Sequence, residues 1–174
     1  MATGGRTKAI IDTSVLVNFL RIDRGDLLAL HPDYQFVLVD LVRDEVTRHY
    51  ETQVLRLQAA FAAKQLLLDD PPESISLREV ELFAEMSKLK IGNGERAAIA
   101  AAKARGLPLV IDDERAIKRA AAYCSTIPRE STVSLMVALL KAGLIDVTEA
   151  DSIKADWELN HRFRLTFGSF AEQI

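Results

Sequence analysis

The chain has 174 residues, a formal net charge of −3 and one cysteine. Hydrophobic residues make up 49% and charged residues 27% of it, which is typical of a single globular domain and excludes a disordered or fibrous protein. A lone Cys124 excludes an internal disulfide, a thiolate zinc cage and a CxxC redox pair, and it fits a reducing compartment. No segment has the apolar length of an export signal or a membrane span, so we expect a soluble cytoplasmic protein.

The first half of the chain predicts alternating strands and helices. An apolar, β-branched run at about residues 8–12 predicts a strand, and the hydroxyl groups of Thr13–Ser14 can cap the helix that follows. A second such run, Tyr34–Val39, leads into a long predicted helix over about Asp40–Gln65. Leu66–Leu68 then predicts a short third strand.

The middle of the chain continues this alternation. Asp69–Glu73 contains two prolines and predicts a loop, and Ser76–Glu79 has the form of a capping box that opens a helix. After a Gly-Asn-Gly break, an alanine-rich helix over about Glu95–Arg105 leads into a predicted strand at residues 107–111. A further helix then runs to about Tyr123.

The remaining elements are shorter. Ser125–Ile127 predicts a strand, Ser131–Gly143 a capped helix, Thr148–His161 another helix, and Arg162–Leu165 a last strand. We expect one domain over the whole chain, with the helices from about residue 146 as an appendage. Strands separated by helices in this order predict an α/β fold of three layers, α/β/α, with a mostly parallel central sheet.

Acidic residues stand where predicted strands end. Asp12 follows the first strand, and the adjacent pair Asp112 and Asp113 follows a later one. Open parallel sheets place their sites at the carboxyl ends of strands, so these side chains are expected to meet. Glu45 and Glu95 each lie on a predicted helix and could point over the same edge.

Converging carboxylates are costly to bury because they lose water and repel one another, unless a cation lies among them. Mg²⁺ and Mn²⁺ prefer oxygen ligands and can be bound by a few carboxylates together with a substrate phosphate. An ion of this kind can generate hydroxide near neutral pH and stabilise the leaving oxygen of a phosphodiester. The acidic residues therefore predict a divalent-metal site suited to phosphodiester hydrolysis.

The charge is unevenly distributed along the chain. Residues 69–85 contain six acidic residues and one arginine, a balance of −5. Residues 88–119 contain eight basic and four acidic residues, a balance of +4. A basic surface around an acidic pocket suits a polyanion cut by a metal ion, and solvated helix faces account for the same counts nearly as well.

In order and spacing, these motifs resemble the PIN-domain nucleases, which include the VapC-type toxins and a group of stand-alone prokaryotic PIN proteins. Ile10–Leu16 resembles the family's opening strand with its first aspartate, and Val42–Val46 resembles the helix that carries its glutamate. Gly92–Ile99 resembles the Gly-x-Gly-Glu segment of the stand-alone group. Leu109–Asp113 resembles the last metal-binding strand end, and Ser131–Ile145 the helix after it.

The resemblance, which covers most of the chain, implies a PIN-like fold and metal-dependent endoribonuclease activity with Mg²⁺ or Mn²⁺. The catalytic, metal-binding acids that it implies are Asp12, Glu45, Glu95 and Asp113. Many family members carry Ser or Thr at the position of Ile111, and the doubled aspartate leaves the last ligand ambiguous. We favour Asp113 as the family position and keep Asp112 as an auxiliary metal ligand.

Other residues are expected to support the acids. Thr13 and Ser14 are interpreted as a helix cap and as hydrogen-bond partners of the ligands, and Asn18 could donate to a metal-bound water or simply pack. The basic residues expected to hold the RNA backbone are Arg96, Arg115, Lys118 and Arg119. The partners implied are an RNA substrate, an antitoxin protein if the chain is a toxin, and a second copy in a homodimer.

Rival interpretations have weaker support. The histidines His31, His49 and His161 form no recognisable acid–base pair, and we interpret each as a surface residue. Gly92-x-Gly94-x-x-Ala97 superficially fits a dinucleotide fingerprint, but a helix end precedes it where the fingerprint requires a strand. The alternative that stays open is a PIN-like module that binds RNA or a partner and cleaves weakly.

Overall fold

The protein is built on a five-stranded parallel sheet, seen in a computed structural model that describes residues 5–69 and 75–174. The strands are β1 (Thr7–Ile11), β2 (Tyr34–Leu38), β3 (Leu67–Leu68), β4 (Leu109–Val110) and β5 (Arg129–Glu130). Their order in the sheet is β3-β2-β1-β4-β5, and every neighbouring pair is parallel.

Helices flank this sheet and complete the three-layer α/β/α fold that the sequence predicts. They are α1 (Thr13–Arg21), α2 (Gly25–Leu30), α3 (Asp40–His49), α4 (Glu51–Ala62), α5 (Leu77–Glu85), α6 (Asn93–Arg105), α7 (Glu114–Arg119), α8 (Ala121–Cys124), α9 (Thr132–Lys141) and α10 (Val147–Asn160). Short 3-10 turns cover Met86–Lys88 and Phe170–Gln173. Within the described residues, no helix is long and apolar enough to cross a membrane.

The central strand β1 sets the position of the site. Ala9, Ile10 and Ile11 are fully buried, and β1 pairs with β2 on one side and β4 on the other. The Asp12 N–H extends this pairing by donating to the Val110 carbonyl at 2.9 Å. Asp12 and the residues after β4 therefore lie side by side at the carboxyl edge of the sheet.

Helix α6 approaches the sheet closely because its buried face is made of small residues. Ala98, Ala100, Ala101 and Ala102 are buried, and the helix contacts β1 and β4. Gly106 ends the helix in the left-handed region at φ 65°, which glycine adopts without strain. This packing brings the first turn of α6 to the edge where β1 ends.

The fifth strand is not where the sequence predicts it, and the prediction of a strand at Ser125–Ile127 is wrong. The Ile127 N–H turns back to the Cys124 carbonyl at 3.0 Å. Pairing with β4 begins later, where the Leu109 N–H donates to Pro128 and the Ile111 N–H donates to Glu130, both at 2.9 Å. The strand is therefore fixed by tertiary hydrogen bonds, which local composition does not reveal.

Two long predicted helices are each divided. The one over Asp40–Gln65 breaks at Tyr50, whose φ of −134° and ψ of 54° are not helical. Arg21 lies 5.6 Å from the centroid of the Tyr50 ring, so a contact with α1 accompanies the break. The helix predicted to end at Tyr123 is interrupted at Ala120.

Three further differences concern connections. The helix α2, over Gly25–Leu30, is not among the predicted elements. The prediction of a strand over Arg162–Leu165 is wrong, since Arg162 has a φ of 57° and the segment is irregular. Of the predicted loop Asp69–Glu73, only Asp69 falls within the described residues.

The C-terminal helix α10 is anchored to α1 through Trp157. This side chain is fully buried, and its indole N–H donates to the Asn18 carbonyl at 2.8 Å. Its ring makes edge contacts with Phe19 at 5.8 Å and Phe163 at 5.4 Å between centroids. The tail beyond α10 is held by Asp151, which accepts hydrogen bonds from the Ser169 hydroxyl at 2.6 Å and the Phe170 N–H at 2.8 Å.

We expect Trp157→Ala to lower the free energy of unfolding by about 3–5 kcal/mol, because it removes a large buried ring and an indole hydrogen bond. Trp157→Phe should cost less, since the ring contacts with Phe19 and Phe163 can persist. Urea unfolding followed by circular dichroism measures both changes. Equal stability of wild type and Trp157→Ala would show that α10 contributes little to the core.

Candidate metal centre

Asp12 is the most buried acid of the pocket and caps helix α1. It is 2% exposed, and its Oδ2 atom accepts hydrogen bonds from the Ser14 N–H at 2.9 Å and the Ser14 hydroxyl at 2.7 Å. Its Oδ1 atom is buried and has no hydrogen-bond partner among the residues that the structure describes. One oxygen of Asp12 is therefore fixed, and the other is left for a ligand.

Glu45 reaches the pocket from helix α3. Its Oε2 atom accepts a hydrogen bond from the Thr13 hydroxyl at 3.1 Å, next to Asp12 in sequence. The carboxylate lies directly over Gly94, where an added Cβ atom would overlap Glu45 Oε2. The glycine thus leaves room for the Glu45 carboxylate over the first turn of α6, a role that the sequence does not reveal.

Glu95 lies in the first turn of α6. Its Oε2 atom is buried and, within the described part of the chain, has no hydrogen-bond partner. The carboxylate folds back over Gly92, and a Cβ atom at that position would overlap it. Glu95 therefore holds a second buried oxygen whose charge acts on the region of Asp12, although this oxygen lies against the backbone of Gly92.

The two adjacent aspartates have different partners. Asp113 caps α7, accepting at Oδ1 from the N–H groups of Arg115 at 2.8 Å and Ala116 at 2.9 Å. Asp112 instead turns toward α1 and α9, where it accepts from the Asn18 amide at 3.1 Å and the Thr132 hydroxyl at 2.5 Å. The two carboxylates after β4 therefore point to different surroundings.

Burial and mutual repulsion raise the pKa values of Asp12, Glu45 and Glu95. Burial raises the pKa of Asp12 from its usual 3.8 to about 6; the hydrogen bonds from Ser14 oppose this and the charge of Glu45 adds to it. The pKa of Glu45 is raised by burial first and further by the charge of Glu95. The pKa of Glu95 is raised by burial and then by the charges of Asp12 and Asp113. Asp12, Glu45, Glu95 and Asp113 thus form one electrostatic cluster.

A divalent cation fits this cluster chemically. The unpartnered oxygens of Asp12 and Glu95 are the hard ligands that Mg²⁺ and Mn²⁺ prefer. A cation would offset the burial, and after it the repulsion, that raise the pKa values of the two acids. Across residues 5–69 and 75–174, no three acidic, histidine or cysteine side chains are arranged so that they could hold an ion together as they stand. The acids therefore act on one another through their charges without forming a set of ligands around one point.

A polar cleft opens beside Glu45. It has a volume of about 250 Å³ and lies between α3 and the start of α6. The residues that line it are Leu41, Asp44, Glu45, Arg48, His49, Gly92, Asn93 and Gly94. A separate cleft near Val39 and Phe83 is mainly apolar and contains none of the predicted metal ligands. The first cleft gives a path from solvent toward the acids.

The basic residues predicted to hold RNA differ in availability. Arg115, Lys118 and Arg119 are exposed on α7, the helix that Asp113 caps, although the Arg119 guanidinium also donates to the Lys90 carbonyl. Arg96 is half-buried, stacks 4.4 Å from the Phe83 ring centroid and donates to the Asn93 side chain. The α7 side chains are therefore the more accessible cations near the pocket.

The interpretation of His31 as a surface residue is wrong. It is 2% exposed and stacks against Tyr34, with ring centroids 5.1 Å apart. Its Nδ1 atom accepts from the N–H groups of Asp33 at 3.3 Å and Tyr34 at 3.2 Å. His31 thus organises the turn before β2, whereas His49 is exposed beside the polar cleft and His161 is half-buried.

Sequence reasoning missed Thr132. It follows the predicted helix cap Ser131, is fully buried and contacts Asp112 through both its N–H group and its hydroxyl. No local pattern distinguishes it from an ordinary first residue of a helix.

Comparisons with known proteins agree with this geometry. A family model described as PIN domain matches residues 8–156. The structure is similar to VapBC2 from Rickettsia felis bound to a DNA fragment from its promoter, with 18% identity, a TM-score of 0.51, and coverage of 71% of this chain and 98% of that one. No curated protein sequence matches the chain.

Two further solved structures have lower TM-scores. VapBC-1 from nontypeable Haemophilus influenzae is 16% identical, covers 72% of this chain and 98% of that one, and has a TM-score of 0.49. A PilT N-terminus domain protein from the archaeon Sulfolobus solfataricus P2 is 17% identical, covers 77% and 94%, and has a TM-score of 0.46. Since the family model spans most of the sequence, including the strands and acids of the pocket, the chain belongs to the PIN-domain family.

Proposed function

We propose that the protein is an endoribonuclease that depends on Mg²⁺ or Mn²⁺ and hydrolyses RNA phosphodiester bonds. The observation that carries this proposal is the buried, unpartnered Oδ1 atom of Asp12, within a cluster that also contains Glu45, Glu95 and Asp113. A buried anion without a partner is unfavourable unless a cation compensates it. Membership in the PIN-domain family supports the same chemistry.

Each protein group has a defined part in this proposal. Ser14 orients one oxygen of Asp12, and Thr13 orients one oxygen of Glu45. The other oxygen of each carboxylate is left for the cation. When bound, the metal supplies a water of lowered pKa and charge stabilisation at the scissile phosphate. Because a water would supply the attacking oxygen, no carboxylate of the protein has to act as the nucleophile.

The basic side chains of α7 supply the contact with substrate in this proposal. Arg115, Lys118 and Arg119 follow Asp113 on one short helix, so a phosphate backbone that they hold lies near the acids. The polar cleft beside Glu45 offers a second approach to the same acids.

A toxin role and its partners belong to the same proposal. The fold is similar to that of VapBC2 from Rickettsia felis, so we include an antitoxin protein as a proposed partner. Membership in the PIN-domain family is the reason that we also include a homodimer. If the protein is a toxin, a small reading frame for the antitoxin should lie beside its gene. The alternative function, a module that binds RNA or a partner and cleaves weakly, keeps the same acids.

The test of the proposed activity is RNA cleavage by purified protein with Mn²⁺, Mg²⁺ or a chelator. We expect the metal to stimulate cleavage. Asp12→Asn should lower the cleavage rate by more than the roughly 10–100-fold that is typical when only an outer-shell partner of a metal ligand is changed. Asp26→Asn is the matched control and should cleave like wild type, since this acid pairs with Arg24 and does not line the polar cleft.

The outcomes of this test are distinct. Equal RNA decay in wild type and Asp12→Asn would mean that the activity comes from a contaminant and would overturn the proposal. RNA binding without cleavage in any metal would favour the binding module.

The metal-free protein should lose stability as pH rises from about 4 to about 6. The pKa of Asp12 is about 6 in the folded state and near 3.8 in the unfolded state. Between these two values Asp12 is therefore protonated to a greater extent in the folded state than in the unfolded state. The folded state therefore binds more protons, and above pH 6 the buried charge costs about 2–3 kcal/mol. Asp12→Asn should recover about 2 kcal/mol of this at pH 7 and nothing near pH 4.

Urea unfolding in the presence of chelator measures this effect at the two pH values. Adding Mn²⁺ at pH 7 should stabilise wild type and leave Asp12→Asn unchanged. If the wild type gains stability between pH 4 and 6 to the same extent as the variant, burial of the charged Asp12 side chain is not unfavourable and the prediction is wrong.

Gly94→Ala should separate activity from stability. The added methyl group overlaps the Glu45 carboxylate and displaces it from Thr13, so we expect kcat to fall by about tenfold. Stability should hold or rise by up to about 1 kcal/mol, because alanine favours helix more than glycine does. Steady-state cleavage and urea unfolding measure the two effects.

Gly5→Ala serves as the control, since a Cβ atom there meets nothing within 4 Å. Unchanged kcat in Gly94→Ala would show that the position of Glu45 does not matter to cleavage.

A further inference from the structure

Three polar residues from distant parts of the chain, two of them buried, meet beside the acidic cluster. Asn18 on α1, Asp112 after β4 and Thr132 at the start of α9 form a closed set of hydrogen bonds, which we name the Asp112 clasp. Asn18 is 4% exposed and Thr132 is 0% exposed. Asp112 is half-buried, so the two buried side chains Asn18 and Thr132 hold it from the interior of the protein.

The donors and acceptors of the clasp match one another. The Asn18 amide donates to Asp112 Oδ2 and to the Thr132 hydroxyl oxygen, each at 3.1 Å. The Thr132 hydroxyl donates to Asp112 Oδ2 at 2.5 Å, and the Thr132 N–H donates to Asp112 Oδ1 at 2.9 Å. Both oxygens of Asp112 are therefore engaged by protein donors, in contrast to the unpartnered oxygens of Asp12 and Glu95.

The clasp is connected to Asp12 through Ser14. The backbone N–H of Asp112 donates to the Ser14 hydroxyl oxygen at 3.0 Å, and that hydroxyl donates to Asp12 Oδ2 at 2.7 Å. The Ser14 hydroxyl has one proton, so the bond received from Asp112 directs that proton toward Asp12. Fixing Asp112 therefore fixes Oδ2 of Asp12, while Oδ1 is the oxygen without a donor among the described residues.

The geometry points to Asn18 and Thr132 as positioning residues that act through Asp112 and Ser14 to orient Asp12. Asp112 is then the centre of this support, and Asp113 takes the ligand position after β4. The catalytic consequence of the inference rests on the proposed nuclease function. The orientation of Asp12 is a property of the metal-free protein and is measurable without activity.

The test compares Thr132→Val, which keeps the shape and removes the hydroxyl, with Thr132→Ser, which keeps the hydroxyl. Asn18→Leu is a second disrupting variant, and Val133→Ala is a control on the same helix turn, outside the clasp. The first measurement is amide hydrogen exchange by NMR in metal-free protein. In Thr132→Val, the exchange rates of the Ser14 and Asp112 amides should rise by a factor about tenfold greater than those of the α9 amides. Thr132→Ser and Val133→Ala should retain this protection.

Kinetics give the second measurement. In Thr132→Val and Asn18→Leu, kcat for RNA should fall by about tenfold with KM unchanged, and Thr132→Ser should restore it. If wild type does not cleave RNA, the proposed function fails and the exchange data alone decide on the clasp. Unchanged exchange at Ser14 and Asp112 in both disrupting variants would overturn the inference, as would an equal loss of kcat in Val133→Ala.

Discussion

The buried carboxylate of Asp12 is the constraint on which the site depends. One of its oxygens is held by Ser14, and the other has no protein donor in the described part of the chain. Desolvation and the nearby charge of Glu45 raise its pKa, so the charged form is unfavourable without a cation. The sheet nevertheless holds Asp12 in this position, because β1 is the central strand and the three residues before Asp12 are fully buried.

The sequence predicts which strands form the sheet edge at the pocket. It predicts much less well where the individual strands and helices begin and end. Parallel strands carry their carboxyl ends to one edge, so placing Asp12 and Asp113 after two strands was enough to predict that they are neighbours. The alanine-rich α6 likewise predicted a close approach to the sheet. In contrast, the start of β5 depends on hydrogen bonds with β4, and the break at Tyr50 accompanies a contact with Arg21, neither of which is a local property.

The adjacent aspartates show where sequence reasoning ends for the site. Both follow the same strand, and composition gave no means to assign them. They differ because Thr132 and Asn18 surround Asp112, whereas Asp113 caps α7 and its charge acts on Glu95. Thr132 lies 20 residues further along the chain. Its contact is set by the docking of α9 beside β4, so only the tertiary structure separates the two roles.

The same electrostatics bear on the choice between nuclease and binding module. RNA is a polyanion, and a cluster of four carboxylates repels it unless a cation lies between them. A module that only binds RNA would gain stability by replacing Asp12 with a neutral residue, since burial of that charge is unfavourable. A metal-dependent enzyme has a use for the unfavourable charge, because the energy that it costs in the free protein is recovered when the cation binds. The basic residues on α7 begin two positions after Asp113, so substrate contact and metal binding would share one short helix.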